Sequence, residues 1–261
     1  MFDTMKVARE IREARIAKNM TQMNLADEMG VSYQAVSNWE RGGSMPDIGK
    51  LEELCRILEL SLDQLLGAKS QVENVQKVID YTNGKTEESP SLEAIGDAAS
   101  LMKPDMLGRL AEDVQDEEMH LGDLCGLAPF LGKETLGRLA VRVKEVDMGE
   151  LCGIAPFLEK EMVGKLAERM TADELDLGEL CGLAPFVDKE VLSRLAARVK
   201  EVYLGELCGI APFLEKEMVG TLADKVAVDE LNLDELCGLA PFIKKETLEQ
   251  LVGKRYYTDE R

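Results

Sequence analysis

The sequence predicts an all-α protein: a small five-helix domain followed by an α-solenoid of about six two-helix repeats. Three observations lead there. Apolar residues recur at i, i+3, i+4 and i+7 through most of the chain, the spacing of one helix face. Helix-capping and helix-stopping residues such as Thr21, Gly30, Pro46 and Ser61 stand where those stripes begin or end. The stretch LCGLAPF at 124–130 returns in close copies at 151–157, 180–186, 207–213 and 236–242.

Composition narrows the class. At 261 residues, with 45% apolar and 31% charged side chains, the chain has the balance of a folded globular protein. No apolar run approaches the ~20 residues of a membrane span, and no signal peptide opens the chain, so the expectation is a cytoplasmic protein without a membrane partner. In that compartment the six cysteines are free thiols. The net charge of −19 is uneven: residues 1–67 hold 8 basic and 11 acidic side chains, a net of −3, which leaves −16 for residues 68–261. So acidic a field repels phosphates, and contact with DNA has to come from a local face.

Residues 1–67 divide into five helices. The first, at about 5–18, places Val7, Ile11 and Ala14 on one face, with Lys6, Arg9, Arg12, Arg15 and Lys18 three apart. Thr21 is the N-cap of a second helix over 22–29, and Gly30 stops it because glycine enters the left-handed region without strain. Only Gly30, Val31 and Ser32 separate it from a third helix that buries Val36 and Trp39, the spacing of a helix-turn-helix. A fourth helix follows Pro46 from Asp47 and buries Ile48, Leu51, Leu54, Cys55 and Leu58. SLDQLL at 61–66 opens with a Ser61/Gln64 capping box and makes the fifth.

The segments MTQMNLADEMGVSYQAVSNWERG at 20–42 and LEELCRILELSLDQLL at 51–66 resemble the lambda-repressor-like helix-turn-helix family, also called the xenobiotic-response-element family of regulators. Thr21-Gln22, Leu25-Ala26, Gly30-Val31-Ser32, Val36-Ser37, Trp39-Glu40 and Gly42 carry the likeness, over about a quarter of the chain. The resemblance implies that the third helix enters the major groove of double-stranded DNA. It implies base readout by Tyr33, Gln34 and Asn38, since Gln and Asn amides match the N6/N7 edge of adenine and a tyrosine can meet a thymine methyl. It assigns phosphate contacts to Gln22, Ser32, Arg41 and Ser44, and a structural ion pair to Arg15 and Glu40.

Residues 68–91 read as a linker with a short helix over 70–81, ending in the polar segment TNGKTEESPS at 82–91 that acts as a hinge. Residues 92–261 form the repeat domain. Cys125, Cys152, Cys181, Cys208 and Cys237 are 27, 29, 27 and 29 residues apart, so the period is two units long. Units start near 92, 121, 148, 177, 204 and 233; the first is degenerate, with Gly96 for cysteine and Ser100 for proline. The extra residues of the longer spacings fall in the connections containing DEEMHL, ADELDL and VDELNL. Within the second unit Leu121, Leu124, Cys125 and Ala128 form one stripe and Leu136, Leu139, Ala140 and Val143 another, with Pro129 ending the first helix and Phe130 and Leu131 filling the corner. Cysteine is then a small packing residue on the buried stripe, and Gly137, Gly164 and Gly220 allow close approach on the second helix.

No catalytic group emerges. His120 is the sole histidine, no glycine loop cradles a phosphate, and the carboxylates are dispersed, so the chain reads as a non-enzyme with no metal and no cofactor. The expected function is sequence-specific transcriptional regulation by a homodimer, with the acidic repeats mediating oligomerisation, signal sensing or binding of a protein or peptide partner. That layout is similar to the peptide-pheromone regulators of Gram-positive bacteria. The alternative is an interaction scaffold or antitoxin-like protein whose helix-turn-helix docks onto protein.

Overall fold

The computed structural model describes residues 2–67, 69–114, 119–171, 175–228 and 231–258, and the elements in them are all helical. Five helices make the first domain: α1 (Thr4–Ala17), α2 (Gln22–Met29), α3 (Tyr33–Glu40), α4 (Ile48–Leu58) and α5 (Leu62–Leu66). Their starts follow from local hydrogen bonds that use otherwise orphaned amides. Asp3 Oδ1 accepts from Met5 N at 2.9 Å and Lys6 N at 3.1 Å, while Thr21 with Asn24 and Ser61 with Gln64 form reciprocal capping boxes. Gly30 ends α2 at φ 61°, which permits the sharp turn into α3. Ile11, Leu25, Val36, Leu51, Leu54 and Leu65 meet in a core with no exposed surface, each contributing about 2 kcal/mol of transfer free energy.

The next helix, α6 (Lys69–Thr82), alters the expected hinge. It buries Val72, Val75, Val78 and Ile79 and packs against α4, α5 and the first repeat helix, α7 (Leu92–Ala98). Asn74 Nδ2 donates to Asp97 of α7 at 2.8 Å, and Asn83 and Lys85 both hydrogen-bond Glu52 of α4. Residues 83–91 therefore join two helices that pack together, so they do not separate free halves. Contacts divide the chain elsewhere: Met1–Glu117 with Gly126–Thr135 form one compact unit, and Glu118–Cys125 with Leu136–Arg261 the other.

Six helix pairs follow the period of the sequence: α7 with α8 (Pro104–Asp113), α9 (Leu121–Cys125) with α10 (Lys133–Arg142), α11 (Met148–Ile154) with α12 (Lys160–Glu168), α13 (Leu177–Leu183) with α14 (Lys189–Arg198), α15 (Leu204–Ile210) with α16 (Lys216–Ala223), and α17 (Leu233–Leu239) with α18 (Lys245–Thr258). A short 3-10 turn stands between the two helices of each pair, on Ala-Pro-Phe in the last five. Proline occupies the start of that turn, where its missing N–H leaves no hydrogen bond unmade. In the second compact unit α9, α11, α13, α15 and α17 pack in succession, as do α12, α14 and α16. The connections at 115–118, 172–174 and 229–230, where the 27/29 alternation arises, lie outside the described residues.

Two packing expectations change. The residue that fills the corner is the one after phenylalanine: Leu158, Val187, Leu214 and Ile243 are buried, whereas Phe130, Phe157, Phe186, Phe213 and Phe242 are each half-buried, as is Leu131. Cysteine leaves the buried stripe too, its place taken by Leu127, Ile154, Leu183, Ile210 and Leu239. Cys125, Cys152, Cys181 and Cys208 sit half-buried at the seam between successive pairs, and Cys237 is exposed. Their sulfurs face Gly153, Gly182, Gly209 and Gly238, and those of Cys152, Cys181 and Cys208 reach the carbonyls of Glu179, Glu206 and Glu235 at 3.7, 3.6 and 3.3 Å. Burial first, and then the carboxylate of the following unit, pushes these half-buried thiols up, which keeps them protonated donors.

A second ladder runs along the other layer. Arg169 caps the carbonyls of Val143 and Lys144 after α10, Arg198 that of Met170 after α12, and Lys225 those of Ala197 and Val199 at the end of α14. A cation from each of the third, fourth and fifth pairs thus meets the electronegative C-terminus of a helix in the pair before it.

Candidate nucleic-acid interface

The site is built on the turn between α2 and α3. Ser32 is the N-cap of α3, its Oγ accepting from Ala35 N at 3.2 Å, which aims the first residues of the helix outward. Val36 and Trp39 anchor the inner face, so Tyr33, Gln34, Ser37 and Asn38 face away from the core. Tyr33 is 47% exposed, an unusual fraction for so large an apolar ring, and Gln34 is exposed beside it.

The polar groups of this face are linked to one another. Gln34 Nε2 donates to Asn38 Oδ1 at 3.0 Å, and Arg41 Nη2 donates to the same oxygen at 2.7 Å. Arg41 Nε also donates to Ser37 O at 3.1 Å, so the guanidinium lies back along the helix. These bonds leave one N–H of the Gln34 amide and both N–H of the Asn38 amide unused by one another. Spacings of four between Gln34 and Asn38 and three between Asn38 and Arg41 were visible in the sequence, although the chain they form was not among its expectations.

Behind the face stands an ion pair. Arg15 Nε and Nη2 donate to Glu40 Oε1 and Oε2 at 2.5 and 2.9 Å, with only 11% and 3% of the two side chains exposed. Arg15 Nη1 also donates to Met20 O at 2.6 Å, which ties the end of α1 to the start of α2. Gln22 Nε2 donates to Glu40 Oε2 at 2.7 Å, so its amide is held at the N-terminus of α2 with a second N–H to spare. Burial works to raise the Glu40 carboxyl, but the hydrogen bonds from Arg15 and Gln22, with the charge of Arg15, outweigh it and hold it below its ordinary value. The same hydrogen bond to Glu40 raises Arg15.

Gly42 then turns the chain out of α3 at φ 71°, with the Met5 sulfur packed where a Cβ would stand. Ser44 follows on the exposed side of that turn. Gln22, Ser32, Arg41 and Ser44 consequently flank the Tyr33–Gln34–Asn38 face on both ends of α3. Among the described residues no group of three His, Cys, Asp or Glu side chains is placed to hold a metal ion, and no helix is long and apolar enough to cross a membrane. His120 stands ahead of α9, its amide donating to Asp123 at 2.9 Å.

Residues 11–65 match the family model described as helix-turn-helix. The cryptic phage CTXphi transcriptional repressor RstR of Vibrio cholerae is 32% identical over 75 residues, covering 29% of this chain and 67% of that protein. The HTH-type transcriptional activator BcrR of Enterococcus faecalis is 27% identical over 88 residues, 31% of this chain and 43% of its own length. The HTH-type transcriptional regulator YqaE of Bacillus subtilis is 37% identical over 60 residues, 23% of this chain and 52% of its own. The chain therefore spans roughly half the length of the curated relatives it matches. The crystal structure of the Streptococcus dysgalactiae SHP pheromone receptor Rgg2 aligns over 97% of this chain and 94% of that one at 16% identity, with a TM-score of 0.22 that supports no comparison of architecture.

Proposed function

We propose that this chain, which belongs to the helix-turn-helix family of transcriptional regulators, binds double-stranded DNA sequence-specifically through α3 and regulates transcription from the site it occupies. The observation that carries the reading is the outward face of α3, where Tyr33, Gln34 and Asn38 stand together over a rigid inner face. An amide held by its neighbours loses less side-chain entropy when it pairs with adenine N6/N7 in the major groove. Gln22, held by Glu40, turns its spare N–H and the adjoining amides of α2 toward phosphate, while Ser32 at the start of α3 and Arg41 and Ser44 beyond its end supply further contacts.

Two copies of so small a reading head, one helical turn apart, select a palindrome that one copy reads too weakly to hold. The repeats then supply oligomerisation, signal sensing or the binding of a protein or peptide partner, with the net −16 of residues 68–261 favouring a basic one. Among the described residues the side chains form no catalytic constellation, and the reading is of a cytoplasmic non-enzyme.

A second reading has one observation in its favour: the first domain is net −3, less basic than a domain that grips DNA by charge alone. In that reading the exposed face of α3 docks onto protein. Selection of the full chain against random duplexes at low and physiological salt separates the two. A recovered two-fold-symmetric sequence supports regulation, and retention without any sequence preference supports docking.

A further inference from the structure

The Asn38 amide is oriented by two neighbours at once. Its Oδ1 accepts from Arg41 Nη2 at 2.7 Å and from Gln34 Nε2 at 3.0 Å, so both lone pairs of that oxygen are used within the face itself. A guanidinium has N–H donors and no acceptor, so the oxygen and not the NH2 group has to be the end of the amide that meets Arg41. Arg41 is held in its turn, Nε donating to Ser37 O at 3.1 Å one turn back along α3. Turning the Asn38 amide over would set its two N–H against the donors of Arg41 and Gln34 and lose both hydrogen bonds, one of them charge-assisted. The Nδ2 end, with two N–H, is therefore the end left for a base.

That orientation changes the base that fits. Pairing of an asparagine with adenine uses both ends of the amide, the oxygen accepting from N6 and the nitrogen donating to N7. With its oxygen occupied, Asn38 offers donors alone, and it meets the amino group of adenine or of cytosine donor against donor. Guanine carries two acceptors, O6 and N7, on its major-groove edge, and thymine carries O4. Gln34 differs. Having given one N–H to Asn38, it keeps the other together with Oε1, the donor and acceptor that adenine requires.

We propose that Asn38 reads an acceptor-only base edge, guanine before thymine, beside an adenine read by Gln34, and that Arg41 is the positioning residue that sets this choice. The proposal rests on the DNA-binding reading above and refines it by naming the base. Gln34 and Asn38 stand four residues apart, about 6 Å along α3, against a base step of about 3.4 Å, so they meet different base pairs. Three of the five N–H groups of Arg41 remain for phosphate, and the two tasks use different donors.

The test is the affinity of the full chain for every single-base-pair variant of the duplex recovered by selection, at one salt concentration, measured for the parent, Asn38→Ala and Arg41→Met. Asn38→Ala marks the base pair that Asn38 reads, as the position where preference disappears. There the parent should hold guanine at least about tenfold more tightly than adenine. Arg41→Met frees Oδ1, so that ratio should fall at least about threefold, while the ratios at the other positions hold and the lost phosphate contact weakens all duplexes alike. Arg41 is exposed, and unchanged helicity and melting would show that the variant folds. Adenine or cytosine preferred at the marked pair, or no pair marked by Asn38→Ala, would overturn the proposal and leave the DNA-binding reading standing. A ratio untouched by Arg41→Met would overturn the positioning role of Arg41. A parent chain with no preferred duplex would overturn the DNA-binding reading and this proposal with it.

Discussion

The sulfur of Cys181 lies 3.1 Å from the point a Cβ on Gly209 would occupy, closer than side chains ordinarily pack. The cysteine and the glycine that share one motif thus serve different neighbours: the cysteine reaches forward to the next unit, and the glycine makes room for the one behind. Gly209→Ala forces the thiol aside, and the expected cost is about 1 kcal/mol, the overpacking penalty reduced by alanine's better helix propensity. Gly126 is the control. The unit before it has Gly96 in place of cysteine, no atom stands within 4 Å of a Cβ there, and Gly126→Ala is expected to be neutral or slightly stabilising. Chemical denaturation of the two variants checks the difference, and the cost of Gly209→Ala should fall when Cys181→Ala is added.

The Arg15–Glu40 pair makes a prediction with a sign in pH. A carboxyl whose folded value is below its unfolded one stabilises the fold above the unfolded value, and that contribution is lost as pH falls through the folded value. Arg15→Met leaves Glu40 buried without its partner and is expected to cost about 3 kcal/mol at neutral pH. Its deficit against the parent chain should narrow on acidification, as Glu40 takes up a proton. Urea midpoints of both chains at neutral and acid pH measure this, and a deficit that stays constant would contradict the assignment.

The cation ladder predicts local opening. Arg198 donates to Met170 O beyond the end of α12, so Arg198→Gln should speed amide exchange in the last turn of α12 while leaving α15 unchanged. Equal acceleration throughout the repeats would indicate global destabilisation, and the cap would then have no local role.

Cys55 should label last of the six thiols. Burial, with a smaller contribution from Glu52, pushes it up to about 11. Labelling followed by mass spectrometry should find it modified only as fast as the first domain unfolds, and rapid labelling in the folded chain would contradict its burial.

Much of this was legible in the sequence because it is local. Thr21, Gly30, Ser61 and the period of LCGLAPF mark helix ends whose causes lie within a few residues. What stayed hidden depends on neighbours 25 to 29 residues away: Cys181 on Gly209, Arg169 on Val143 and Arg198 on Met170. A helical stripe read within one unit cannot distinguish Cys125 from Leu127, since both fall near the apolar side. Val72, Val75, Val78 and Ile79 did signal a helix in the linker, but not that it would pack on both sides. At the candidate interface the residue types were readable from the resemblance, and the Gln34–Asn38–Arg41 chain required coordinates.

The central claim is that α3 reads DNA sequence through Gln34 and Asn38. Its most direct measurement is the affinity of the full chain and of the Gln34→Ala/Asn38→Ala variant for a selected duplex and a scrambled one, at one fixed salt concentration. Each bidentate pair with a base carries about 1–3 kcal/mol of discrimination, so the variant should lose at least about tenfold in preference for the selected duplex while keeping its affinity for the scrambled one. A variant that retains the parent's preference would contradict the claim and place recognition elsewhere.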